Sequence, residues 1–252
     1  MAAPGTPGPA AEGAQTPATS AWAMLQKQYY GGRDLGLLDK ALMSLDVPST
    51  TADPAATPLS VRFGEAAIGR IRQLRVIIDN NPSPLAATLD FPDGARVAQI
   101  DLRVRVDRLT SIRAIAETAD GTLEMRSSWV NASGGCSAGP AIGGTGTLGE
   151  LRFWASPDAK SLQVGIRHPN NSGFQIDPVS GDPIPAHYIT HLSVSAGGRL
   201  LVDADTGISI SENPTLRIAS DMPLPANVMV EATDSRAVHY RAAWAGGVAG
   251  SP

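Results

Sequence analysis

A single cysteine in 252 residues leaves no partner for a disulfide within the chain, so all thiol chemistry falls on Cys136 and the compartment stays unmarked by cysteine usage. Aromatic residues are scarce, at 5%, whereas glycine (26) and proline (20) are abundant. That balance disfavours a helical bundle and suits many short strands joined by turns. The formal charge is −4 and no block of lysine or arginine stands out, so the electrostatic footprint of a nucleic-acid binder is missing. No uninterrupted apolar run approaches the roughly 18 to 20 residues that span a bilayer, which argues against membrane insertion. The first 20 residues, MAAPGTPGPAAEGAQTPATS, have neither the basic start nor the apolar stretch of an intact secretory signal. They read as a mature terminus behind an added Met1 and, being rich in Pro, Gly, Ala, Ser and Thr, as a disordered tail over residues 1–20.

Periodicity divides the remainder. Trp22, Leu25 and Tyr29 fall on one face of a helix with Thr19 or Ser20 as its cap, Gly31 and Gly32 interrupt it, and Leu37, Leu38, Ala41, Leu42 and Leu45 suggest a second short helix ended by Pro48. From Leu59 to Val130 the pattern is strand-like. The stretch from Ile100 to Val106 alternates strictly between apolar and charged residues, which predicts one buried face and one wet face carrying Arg103 and Arg105. Residues 73–79, 85–91, 112–118 and 123–130 read as further strands, the last two joined by the ADG turn at 119–121. Strand patterns resume at 150–154, 162–167, 188–195, 199–204, 215–219, 228–233 and 238–244. The sequence thus predicts an all-β chain of two immunoglobulin-like β-sandwiches, over 21–130 with N-terminal helices and over 150–245, packed on each other through an apolar interface.

Between them, residues 131–149 read NASGGCSAGPAIGGTGTLG and have no period. As a Gly-rich coil of roughly 20 residues this linker has an end separation of about 25 Å. Gly134, Gly135 and Gly139 supply flexibility around Cys136, a combination suited to a thiol that leaves its own domain to enter a partner's active site. No basic residue close in sequence lowers the pKa of that thiol. Two other readings stay open on the residues alone. One is a cysteine-dependent hydrolase or transferase pairing Cys136 with His168, His187, His191 or His239; the other is a structural tandem sandwich with the linker as spacer. His187 and His191 are four residues apart, a zinc spacing on a helix, but the segment reads as a strand behind Pro183 and Pro185 and offers no third ligand, so no metal site is expected. The GGTGTLG run at 143–149 lacks the Lys-Ser/Thr of a phosphate loop.

The second half carries RHP at 167–169, Gly173, SGDPIPAHYI at 180–189 and SENP at 211–214. These resemble the Z subunit of the bacterial thiosulfate-oxidation (Sox) carrier, with its HPM, TG(E/K)xIPAHYI and KNP motifs, although Asn170 stands where methionine is usual. The first half resembles the Y subunit through NNPSPL at 80–85, AETADG at 116–121 and SGGC at 133–136. In that subunit the chain ends in GGCGG, a mobile arm whose cysteine bears the sulfur intermediates, so Cys136 maps onto the carrier cysteine. Here Ser137, Ala138 and Gly139 replace the final glycines and the arm bridges two domains.

A fused Y and Z carrier resembles the SoxYZ-like proteins associated with quinoprotein dehydrogenases. The resemblance implies a non-enzymatic shuttle without a cofactor of its own, loaded on Cys136 with inorganic sulfur. Its implied partners are a c-type cytochrome and hydrolase or dehydrogenase enzymes of the Sox or quinoprotein pathway, in the periplasm. An exposed single thiol also allows a disulfide-linked dimer through Cys136. Arg167, His168, His187 and Tyr188 form a candidate surface for partner docking.

Overall fold

Alternation of apolar and polar side chains dominates the chain, and strands dominate the structure. The structure is a computed structural model that describes residues 17–33, 35–37, 42–139 and 146–245. Helix α1 (Pro17–Tyr30) belongs to a unit of its own, described over residues 17–33. Its start falls inside the expected tail, and proline is tolerated there because the first helical N–H groups have no intrahelical acceptor. Trp22, Leu25 and Tyr29 lie on its less exposed side, and Gly31 and Gly32, both with positive φ, end it. Residues 1–16 of the expected tail lie outside the described residues.

The first half of the second unit supplies β1 (Gly36–Leu37), β2 (Met43–Asp46), β3 (Thr57–Phe63), β4 (Ile71–Ile78), β5 (Leu85–Asp90), β6 (Val97–Val104), β7 (Thr110–Thr118) and β8 (Leu123–Val130). The second half supplies β9 (Leu151–Ala155), β10 (Ser161–Ile166), β11 (Ile189–Ala196), β12 (Arg199–Thr206), β13 (Thr215–Ser220), β14 (Val228–Asp234) and β15 (His239–Trp244). The expected second helix is absent where its residues are described: Met43–Asp46 is an edge strand antiparallel to β3. Its leucine spacing fits a helix, but a ladder against β3 and full burial of Met43 outweigh that local preference. Residues 38–41 of that segment lie outside the described residues.

Two sheets face each other in an all-β sandwich architecture. One has nine strands in the order β1-β8-β7-β4-β5-β12-β11-β14-β15, the other six in the order β2-β3-β6-β13-β10-β9. Each half contributes a sandwich, and the two halves share an apolar core while also being joined edge to edge in both layers. Strand β5 pairs with β12 (Leu89 opposite Ala204), and β6 pairs with β13 (Ile100 opposite Ile218). A single cluster of buried residues, including Ile100, Leu102, Ile189, Ala204 and Leu216, runs through the junction. Pairing the edges satisfies the backbone groups that two separate sandwiches would leave open there. Side chains reinforce the seam: Arg217 pairs with Asp101 at 2.9 Å, and Asn81 Nδ2 donates to Ser209 Oγ at 3.0 Å.

Candidate functional site

Strand β6 carries its alternation as far as Val104 and then leaves the sheet at the seam, so the next residues obey a different rule. Arg105, expected on the wet face, is 1% exposed. Its Nη1 donates to the Gly135 carbonyl (3.1 Å) and its Nη2 to the Asn170 carbonyl (3.2 Å). One guanidinium therefore touches both the cysteine segment and the second half. The chain after β6 receives that segment as well: Gly134 N donates to Asp107 O (2.7 Å) and Gly135 N to Val106 O (3.0 Å).

From the second half, Ser172 Oγ donates to the Cys136 carbonyl and Gln175 Nε2 to the Ala138 carbonyl (3.0 Å). Ser172 and Gln175 are both buried polar residues, and Ser172 N donates to Gln175 Oε1 (2.9 Å), so each is held while it holds the loop. The expectation of a Gly-rich coil with an exposed thiol is thereby corrected over residues 131–139. Cys136 is 1% exposed, seated where the two halves meet. Gly134 has φ +77°, a left-handed conformation that glycine adopts freely, and a Cβ on Gly135 would collide with the carbonyl oxygens of Pro54 and Val106. Those two glycines shape the docked loop; Gly139 has nothing within 4 Å of where a Cβ would lie. Residues 140–145 of the expected linker, including part of the GGTGTLG run, lie outside the described residues.

Burial pushes the Cys136 thiol up to about 11, Asp107 adds to the rise, and Arg105 and Arg108 oppose it. Two arginines thus act on a thiol that has no basic neighbour in sequence. In this seat the sulfur is a protonated, shielded thiol, the less reactive form.

The histidines form a different constellation. His168 Nε2 and His187 Nε2 lie 3.2 Å apart, His187 Nε2 is 2.8 Å from Asp234 Oδ2, and His168 Nε2 is 3.5 Å from the same oxygen. Tyr240 Oη donates to Asp234 Oδ2 (2.8 Å), while Asp234 Oδ1 accepts the backbone N–H groups of Arg236 and Val238. Burial alone would raise Asp234, but these hydrogen bonds outweigh it and hold the carboxyl well below the usual range. Burial, then the neighbouring His187, keeps His168 below the usual histidine value. Burial and its bond to Asp234 push the Tyr240 hydroxyl up to about 12.

His168 and His187, at 1% and 5% exposure, are turned inward by this network and present no ring to a partner. Of the four candidate docking residues, Arg167 and Tyr188 are only half-buried. With Asp234 the two histidines offer three atoms of a kind that ligates zinc, all within 4.8 Å of one another. The pairing considered for zinc, His187 with His191, is not made: His191 lies between Asp203 (2.9 Å) and Asp205 (3.0 Å). His239 faces Thr233 at 3.0 Å. Among the described residues none of the four histidines hydrogen-bonds to Cys136. Asp234 escaped sequence reasoning because no spacing rule links it to His168 and His187; the strands that bring them together are distant in the chain.

Comparison with known families decides the identity. The family described as sulfur oxidation protein SoxY matches residues 26–136, and the family described as sulphur oxidation protein SoxZ matches residues 155–245. The chain is a SoxY–SoxZ fusion. The SoxY match ends on Cys136 itself, and the SoxZ match takes in both histidines and Asp234. No curated protein matches the chain. Among solved structures, the sulfur carrier protein SoxY from Chlorobium limicola f. thiosulfatophilum overlaps with TM-score 0.37 and 16% identity, covering 46% of this chain and 94% of that one. Superoxide reductase (neelaredoxin) from Ignicoccus hospitalis overlaps with TM-score 0.32 and 11% identity, covering 36% of this chain and 79% of that one. Neither overlap is close enough to carry chemistry across. No helix among the described residues is long and apolar enough to cross a membrane.

Proposed function

We propose that this SoxY–SoxZ fusion is a covalent carrier of sulfur intermediates, with Cys136 as the attachment point and partner enzymes as the catalysts. One observation carries the reading: the SoxY match ends on the chain's only cysteine, and that cysteine sits on a loop held between the SoxY and SoxZ domains. In loading by thiosulfate, the S–H bond of Cys136 breaks and an S–S bond forms, giving Cys–S–S–SO3−, one proton and two electrons. The two electrons pass one at a time to ferric haem of a c-type cytochrome partner, reducing two haem equivalents. A hydrolase or dehydrogenase partner then works on the bound group.

Because the docked thiol is shielded, loading requires the loop to leave its seat; the loop is tied to its seat through its own main-chain carbonyls and amides, so release breaks no side-chain hydrogen bond of Cys136. The neighbouring stretch supplies a surface for partners to grip, where Phe174 (49% exposed), Ile176 and Val179 (95% exposed) stand beside Ser172 and Gln175, which hold the loop. Arg167 and Tyr188 belong to the same proposed docking role. A periplasmic location and service to a quinoprotein dehydrogenase complete the proposal; both draw on the likeness to fused carriers. No observation favours the cysteine-hydrolase reading, since each histidine is engaged elsewhere.

The test is intact mass spectrometry of protein taken from its native host. Sulfur-sized adducts that vanish with reductant, and are missing from a Cys136→Ser variant of unchanged fold, are expected; a thiol that is always unmodified would sink the proposal. Co-purification with a c-type cytochrome and a quinoprotein dehydrogenase, rather than with thiosulfate-oxidising enzymes, separates the two pathways.

A further inference from the structure

Two arginines of the first half are buried, and they are treated very differently. Arg113 Nε and Nη2 reach the Asp79 carboxylate at 2.8 and 2.7 Å, the two-pronged pairing that a buried guanidinium requires. Arg105 is buried at least as deeply, yet among the described residues no carboxylate lies within ion-pair distance of it. Its two bonds go to neutral carbonyls, and among the described residues its Nε–H has no acceptor. A charge taken out of water in this way is costly unless a negative partner arrives.

We propose that Arg105 is the counter-ion for an anionic sulfur group on Cys136, so that the docked loop favours the loaded, negatively charged carrier over the empty thiol. This rests on the reading of Cys136 as the carrier. Three observations support it. Arg105 already grips the loop at Gly135, the residue before the cysteine, and has a donor to spare. Burial pulls the guanidinium below its ordinary value, and of the groups that oppose this, an ionised Cys136 acts most strongly, ahead of Glu212 and Asp53. The empty carrier offers no such charge, because its docked thiol stays protonated. Asp107 also faces the sulfur and works against an anion there, but Arg108 pairs with its carboxylate at 3.0 Å and, like Arg105, favours an anion.

A thiosulfate-derived adduct ends in a sulfonate that is negative at every physiological pH. Its oxygens accept hydrogen bonds from a planar guanidinium, the geometry at which arginine excels. Loading therefore completes a site that the bare protein leaves unfinished.

The experiment compares two chemical loads on the full chain. Tetrathionate reacts with the Cys136 thiolate to give Cys–S–S–SO3− and free thiosulfate; methyl methanethiosulfonate gives the neutral Cys–S–S–CH3 and methanesulfinate. In the wild type the anionic load is expected to melt about 4 °C or more above the neutral one, the scale of a charge-assisted hydrogen bond in a chain of this size. Arg105→Met should erase that gap, and Arg105→Lys should keep part of it. An anionic load that melts at or below the neutral one overturns the proposal, as does a gap that survives in Arg105→Met. Should Arg105→Met fail to fold, the wild-type order and the Arg105→Lys protein still decide. Absence of adducts in native protein would remove the carrier reading and leave this gap standing, so the two failures are distinguishable.

Discussion

Two buried polar centres, one around Asp234 in the SoxZ half and one around Arg105 where the SoxY half meets it, are built to opposite specifications. Around Asp234 each carboxylate oxygen accepts two hydrogen bonds, and both histidines and Tyr240 are drawn into one network. Around Arg105 a charge is buried with a donor left over. A finished centre fixes a local structure, whereas an unfinished one waits for something. The contrast fits the proposed division of labour, in which the histidines are scaffolding and the chemistry lies near the loop.

The largest effect should come from the finished centre. Asp234→Ala strands His187, Tyr240 and two backbone N–H groups in the interior, and is expected to lower stability on the order of 3 kcal/mol, read by urea unfolding. A change under a third of that would mean that the network is looser than its distances indicate. Gly135→Ala comes next. Its added methyl meets the Pro54 and Val106 carbonyls and should cost the docked loop about 2 kcal/mol. Cys136 should then react with an aromatic disulfide reagent at least tenfold faster than in wild type, while the far-ultraviolet circular dichroism is unchanged.

A subtler probe is pH. The docked thiol titrates about 11 against an ordinary value of 9.0, so the seat favours the protonated form. Its contribution is complete below about pH 9 and is lost as pH rises through 11. Wild type should lose thermal stability over that window relative to Cys136→Ser, and parallel curves would contradict the burial of the sulfur. The smallest effect is expected at Gly139→Ala, with open space around the site and no positive φ: within about 0.5 kcal/mol of wild type, with thiol reactivity unaltered.

Most of the strands were legible because alternation is a local signal. Strand β8 spans the expected 123–130, and most other boundaries shift by one to three residues. The misreadings share one physical cause. At Met43–Asp46 a helical spacing yielded to a partner strand, and at Arg105 alternation was extended past the point where β6 leaves its sheet. The Asp234 centre joins the ends of β10 and β14 to the start of β11, a proximity created by the fold alone. Cys136 itself stood out for its uniqueness and its glycines, but the loop's seat did not, because Ser172, Gln175 and Arg105 reach it from irregular segments far away in sequence.

The edge-to-edge seam has a consequence for stoichiometry. Where Y and Z are separate chains, their pairing obeys mass action and falls away on dilution. Here β5 meets β12, and β6 meets β13, within one polypeptide, so the local concentration of one half around the other is fixed by the linker and does not vary with abundance. Every molecule is born with one thiol, one seat for it and Arg105 beside that seat, and no exchange of subunits can alter that ratio.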